Sequence, residues 1–144
     1  MTPTEERFSA ALHNTARAWR QAVDRRLKYL GLGQASWMTI ATVAKTDSAM
    51  SQTELANKLG VEDPTMVSML DRLVKAGYLL RQPSATDRRV KLIVLTASGQ
   101  DVYEKVRVEA TSFRQEILEG VDLARLAELT RLLEQLQAVA EAAP

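Results

Sequence analysis

Residues 51–95 constrain the fold of this chain more than any other stretch. Ser51-Gln52-Thr53-Glu54 has the form of a capping box. The Ser51 hydroxyl can accept the Glu54 N–H while the Glu54 carboxylate reaches back to the Ser51 N–H. Met50 and Leu55 sit where a hydrophobic staple would close over that cap. Leu55, Ala56 and Leu59 share one helical face, and Gly60 can end the helix in the left-handed conformation. Asp63-Pro64 reads as an N-cap followed by a proline at the first helical position. Met66, Val67, Leu70, Leu73 and Val74 recur at helical spacing, and Gly77 closes the run. Residues 78–82 and 90–95 have strand character, with Pro83-Ser84-Ala85-Thr86 as turn material between them. Two short helices across a tight turn, then a hairpin, predict a winged helix-turn-helix.

The side chains left over from that packing suit a nucleic acid. A helix that enters the major groove carries small or polar residues on its outer face. With the apolar stripe buried, Thr65, Ser68, Met69 and Arg72 are left facing out. The hairpin turn carries Asp87-Arg88-Arg89, and Lys91 follows. An arginine at a loop tip suits the negative potential of a minor groove. From Arg72 to Lys91 the single acid is Asp87, against Arg72, Lys75, Arg81, Arg88, Arg89 and Lys91. A solvated hairpin whose charges serve solubility is the plain alternative. Directly behind a capped helix-turn-helix it is the weaker reading.

An ordered set of motifs resembles the MarR family of bacterial regulators. It comprises Leu55-Ala56 with Gly60, Leu70-Asp71-Arg72-Leu73, Gly77-Tyr78, Arg81, Asp87-Arg88-Arg89, and Leu95-Thr96 with Gly99. Ala18-Trp19-Arg20, Asp24, Arg26-Leu27-Lys28, Trp37 and Pro64-Thr65 are similar to its SlyA branch. The resemblance covers nearly the whole chain. It implies a homodimeric transcriptional regulator on pseudo-palindromic double-stranded DNA. Thr65, Ser68, Met69 and Arg72 would face the major groove, with Arg88, Arg89 and Lys91 as further DNA contacts. Asp87 would support the wing tip by pairing with a neighbouring arginine. The branch has an arginine at the position of Ser68, which cannot fork onto guanine, so a different target sequence is expected. The resemblance also implies a pocket for a small aromatic acid effector, with Arg17 and Trp37 at its matching positions. Ala35, Ala41 and Met69 stand where that pocket has polar groups. Trp37 as core and Arg17 as a solvated charge is the other reading of that pair.

At 144 residues the chain is expected to be one domain, 1–144. Within it, about 1–30 and 97–144 would be dimerisation helices and 51–95 the DNA-binding lobe. The balance of 19 basic and 18 acidic residues gives a net charge of +1, so the distribution informs more than the sum. Cysteine is absent, which excludes disulfides, thiolate zinc sites and thiol oxidation as a signal. His13 is the single histidine and has no partner at metal-ligand spacing. There is no nucleophile with a base and no glycine-rich phosphate loop. The expectation is therefore no enzyme, no metal and no cofactor. Residues 1–7 are polar and acidic, unlike a signal peptide, and the apolar runs are too short to span a bilayer. A cytoplasmic protein with no membrane partner is expected.

The rest of the chain reads as mainly α, with the hairpin wing as its small β component. Phe8, Leu12, Ala16, Trp19, Val23, Leu27 and Leu30 predict one long helix over 4–30. A second helix covers 34–46, with Trp37, Ile40, Ala41 and Ala44 inward, and 49–50 could form a short strand. Thr96 would cap a helix over 97–119, with Val102, Val106, Ala110, Phe113 and Ile117 on its buried side. Asp122 would cap a last helix in which Leu126, Leu129, Leu133, Leu136 and Ala140 form a heptad seam. The apolar faces of these end helices exceed what one small winged helix can cover; the heptad and the resemblance favour a second copy over the helices covering only each other within one subunit. A winged helix that docks on protein instead of DNA is the alternative function. It would need no Arg88 or Arg89.

Overall fold

The computed structural model describes residues 2–144. Met1, part of the stretch read above as no signal peptide, lies outside the described residues. The chain divides into two compact units, Met1–Phe113 and Arg114–Pro144. Helix α1 spans Pro3–Arg26 and is followed by a 3-10 turn, Lys28–Leu30. Then come α2 (Gln34–Lys45), β1 (Met50–Ser51), α3 (Gln52–Leu59) and α4 (Asp63–Lys75). The hairpin β2 (Leu79–Pro83) and β3 (Lys91–Leu95) leads into α5 (Ala97–Ile117) and α6 (Leu123–Ala142). The three strands form one sheet in the order β1-β3-β2, with both pairings antiparallel. This is the winged helix-turn-helix expected from residues 51–95. Among the described residues, no helix is long and apolar enough to cross a membrane.

Local chemistry sets most helix ends, with three departures from expectation. The capping box at the start of α3 is present, with the Glu54 N–H donating to Ser51 Oγ at 3.2 Å. Gly31, Gly60, Gly77 and Gly120 all have positive φ at helix or turn ends, Gly60 and Gly77 where they were expected. The cap of α1, however, is Thr2, so the helix starts at Pro3 and not at residue 4. Thr2-Pro3-Thr4-Glu5 is itself a capping box, with Pro3 in the first turn. The helix also stops before residue 30. The Leu27 N–H is shared between the carbonyls of Val23 and Asp24, and the backbone tightens into the 3-10 turn. At α4 the N-cap is Glu62, and Asp63 lies inside the first turn without capping it. The Glu62 carbonyl already accepts the Met66 N–H at 3.0 Å, which draws residue 63 into the helix. Asp63 still faces the positive end of the helix dipole.

One core fills the first unit. Val23 of α1, its C-cap Leu27 and the α2 residues Trp37, Ile40 and Val43 pack with Leu55 and Ala56 of α3 and with Leu79 and Ile93 of the sheet. Helix α4 contributes Met66, Met69, Leu70 and Leu73. On α5, Val102 and Val106 are buried as expected, but Ile117 is exposed.

Helices α4 and α5 meet across the root of the hairpin. The Tyr78 N–H bonds the Leu73 carbonyl and the Gly77 N–H bonds the Val74 carbonyl, each at 3.0 Å. That is the Schellman pattern, and Gly77 supplies its φ of 88°. Thr96 then acts at both helices. Its hydroxyl donates to the Gly77 carbonyl at 2.6 Å and accepts the Gly99 N–H at 3.0 Å. Gly99 is buried there because a Cβ would overlap the Tyr78 carbonyl oxygen and lie 2.9 Å from Leu95 Cδ1. Backbone cannot yield as a flexible side chain does. Gly99→Ala is therefore expected to cost roughly 1–3 kcal/mol, read as a lower urea midpoint at unchanged slope.

The second unit holds α6, capped by Asp122, whose carboxylate accepts the Ala124 N–H at 3.4 Å. No residue of α6 is buried. Leu129, Leu133 and Leu136 of the expected seam are 48%, 43% and 38% exposed. At the other end of the chain, Phe8 and Leu12 of α1 are likewise exposed.

Candidate nucleic-acid interface

The exposed face of α4 differs from the expected one at two positions. Thr65, Ser68 and Arg72 face out. Met69 does not: it is buried, with its sulfur 3.5 Å from Ser36 Oγ and 3.6 Å from an Arg72 guanidinium nitrogen. Val67 is exposed in its stead. Two stripes fit the hydropathy of this helix. The structure uses residues 66, 69, 70 and 73, because α2 lies on the Met69 side and offers Ser36 there. Met69 thus supports Arg72 from below and presents little surface of its own.

The wing is a hairpin with an organised tip. Strand register runs from Leu79 opposite Leu95 to Pro83 opposite Lys91, so Pro83 is the last paired residue and not turn material. The Ser84 N–H bonds the Val90 carbonyl at 2.8 Å, and the Val90 N–H bonds the Asp87 carbonyl at 3.0 Å. Asp87 accepts three hydrogen bonds from Arg89: from the backbone N–H at 3.0 Å, and from Nε and Nη2 at 3.2 Å each. The Arg89 side chain first, and its N–H second, hold the Asp87 carboxyl below its usual range. The arginine expected to pair with Asp87 is therefore one of the two expected at DNA. The Arg89 side chain remains 92% exposed, so its orientation is fixed and its outer edge is open. Arg88 and Lys91 are exposed as well. Arg81 was counted with the cations of the hairpin, but it bonds Asp71 of α4 at 2.8 Å and ties β2 to that helix.

Long-range pairing adds one feature that local patterns did not carry. Met50 and Ser51 pair with Ile93 and Leu92, which brings the start of α3 beside the tip-side half of β3. Ser51, Gln52, Thr53, Arg89, Val90 and Lys91 line a cleft of about 310 Å³ there. Two cations beside a helix N-terminus favour an anion at this edge of the surface.

The expected effector pair falls elsewhere. Trp37 is buried, and its indole N–H donates to Asp24 Oδ1 at 2.8 Å. That bond is the main reason the Asp24 carboxyl sits below its usual range, aided by Lys28 at 3.2 Å. Arg17 is exposed and donates to Asn14 Oδ1 at 3.0 Å. Neither residue lines the neighbouring cavity of about 560 Å³. Its walls are Arg20, Gln34, Ala35, Met38, Leu59 and Val61. Arg20 lies three residues beyond Arg17, so it continues the same face of α1 toward α2. Arg17 and Arg20 both stand out in the sequence; which of them meets α2 does not.

A family model described as MarR family matches residues 32–91. The crystal structure of a transcriptional regulator, PA3341, is 38% identical, covers 94% of this chain and 99% of its own, and superposes with a TM-score of 0.89. The chain belongs to the MarR family. The transcriptional regulator SlyA is 22% identical over 96% of this chain and 94% of its own, with a TM-score of 0.78. AbsC, a MarR family transcriptional regulator from Streptomyces coelicolor, is 18% identical over 99% of this chain and 98% of its own, with a TM-score of 0.84. The last two likenesses are of fold, and the first of them is consistent with the SlyA-like motifs. A MarR-type winged helix supports a DNA-binding transcriptional regulator, and regulators of this family are generally not enzymes.

Proposed function

We propose that this chain is a homodimeric transcriptional regulator that binds a pseudo-palindromic operator and responds to a small aromatic acid. One observation carries the DNA reading: the exposed face of α4, with Thr65, Ser68 and Arg72, is tied through Asp71 and Arg81 to a wing that ends in Arg88 and Arg89. A helix of this kind fits the major groove, and an arginine tip fits the adjoining minor groove. Residues 51–95 form the DNA-binding lobe, while residues 1–30 and 97–144 pair with those of a second copy. The exposed leucines of α6 support that pairing. Two-fold symmetry then places half-site centres about one helical turn, ~34 Å, apart. Random-site selection with the full chain should enrich an inverted repeat. Asymmetric sites, or no enriched motif, would overturn the reading.

The effector reading rests on the cavity lined by Arg20. A guanidinium fork beside Met38, Leu59 and Val61 suits a carboxylate carried on a ring. The walls come from α1, α2, the end of α3 and the turn that leads into α4. A ligand that prefers one arrangement of these elements shifts the spacing of the two recognition helices and releases DNA. Salicylate at millimolar concentration should weaken operator binding. Arg20→Ala should abolish that response and Arg17→Ala should leave it, with operator affinity in the absence of salicylate nearly unchanged in both. The reverse pattern would return the role to Arg17.

A further inference from the structure

We infer that Val67 reads the methyl group of one thymine in each half-site. The inference rests on the DNA-binding reading above. Val67 is 37% exposed in the first two turns of α4, the part of a recognition helix that meets base edges. It stands in a row with Pro64, Ser68 and Asp71, all exposed, at helical steps of three and four. Asp71 bonds Arg81 of β2, so this row lies on the wing side of the helix. The core has no need of Val67, because Met66, Met69, Leu70 and Leu73 already fill the buried side. A β-branched residue is also a poor choice for an exposed helical position whose only task is to be helical.

Valine neither donates nor accepts a hydrogen bond. In the major groove the one apolar group it can match is the thymine C5-methyl. Ser68, next along the helix, can bond the neighbouring base or phosphate. The two together specify a thymine beside a position read by a hydroxyl, where an arginine would instead select guanine.

The test uses the full-length protein and the operator recovered by random-site selection. Each thymine of one half-site is replaced in turn by deoxyuridine, which lacks only the methyl group. One replacement should weaken wild-type binding roughly four-fold, the effect of burying one methyl group. Val67→Ala should fold normally by circular dichroism, bind the thymine and uracil operators equally at that position, and keep any penalty found elsewhere. A penalty that Val67→Ala retains at every thymine overturns the inference, as does a wild type indifferent to all replacements. If no operator is recovered, the DNA-binding reading falls and this inference with it.

Discussion

Leu133→Asp is expected to convert dimers into monomers and to remove tight operator binding. Leu133 lies on the α6 face with Leu129 and Leu136, and all three are exposed in the single chain. In a dimer a carboxylate there would be desolvated without a partner, which costs several times what a lost leucine contact does. In the isolated chain it would sit in water at little cost, so the variant should fold. Sedimentation should show a monomer, with an unchanged far-UV spectrum. Each monomer would then hold one half-site through a small interface. The affinity that comes from linking two half-site contacts, about 10²–10⁴-fold, should disappear. A wild type that sediments as a monomer at micromolar concentration would dispose of the dimer.

The wing should give the next largest effect. Arg89→Ala is expected to weaken operator binding by roughly 1–3 kcal/mol and to lower the salt slope by about one. Asp87→Ala separates positioning from simple charge. Removing an acid from a DNA-facing loop should strengthen binding if only net charge matters. Asp87 accepts three hydrogen bonds from Arg89, so its loss frees the arginine to rotate. Weaker binding by Asp87→Ala would support the positioning role, and tighter binding would remove it. Equal affinity of Arg88→Ala, Arg89→Ala and wild type at low salt would take the wing out of the interface.

Much of the winged helix-turn-helix was legible because its signals are local. Ser51 with Glu54, Gly60, Gly77 and, in its bond to Gly99, Thr96 each act within a few residues of their partners. Where a choice depended on a neighbour from elsewhere in the chain, the sequence was silent. Val67 and Met69 have similar hydropathy, and only the side on which α2 lands decides which is buried. Arg81 looked like one more hairpin cation because its partner, Asp71, belongs to α4. Arg20 and Arg17 share a face, and the join between α1 and α2 decides which one meets the cavity. The same join takes up Trp37, whose N–H is committed to Asp24. The start of α1 was misread for a different reason: Thr2 and Thr4 both precede acids, but only Thr2 has Glu three residues on with a proline between.

The bonds of Thr96 have a mechanical consequence. One oxygen holds the Gly77 carbonyl at the end of the recognition helix and the Gly99 N–H at the start of α5. Gly99 lies so close to the Tyr78 carbonyl that not even a Cβ fits between the two corners. Residue 96 therefore acts as a fulcrum. A swing of α5 about its first turn cannot dissipate in a loose joint; it carries the base of the wing and the tail of α4 with it.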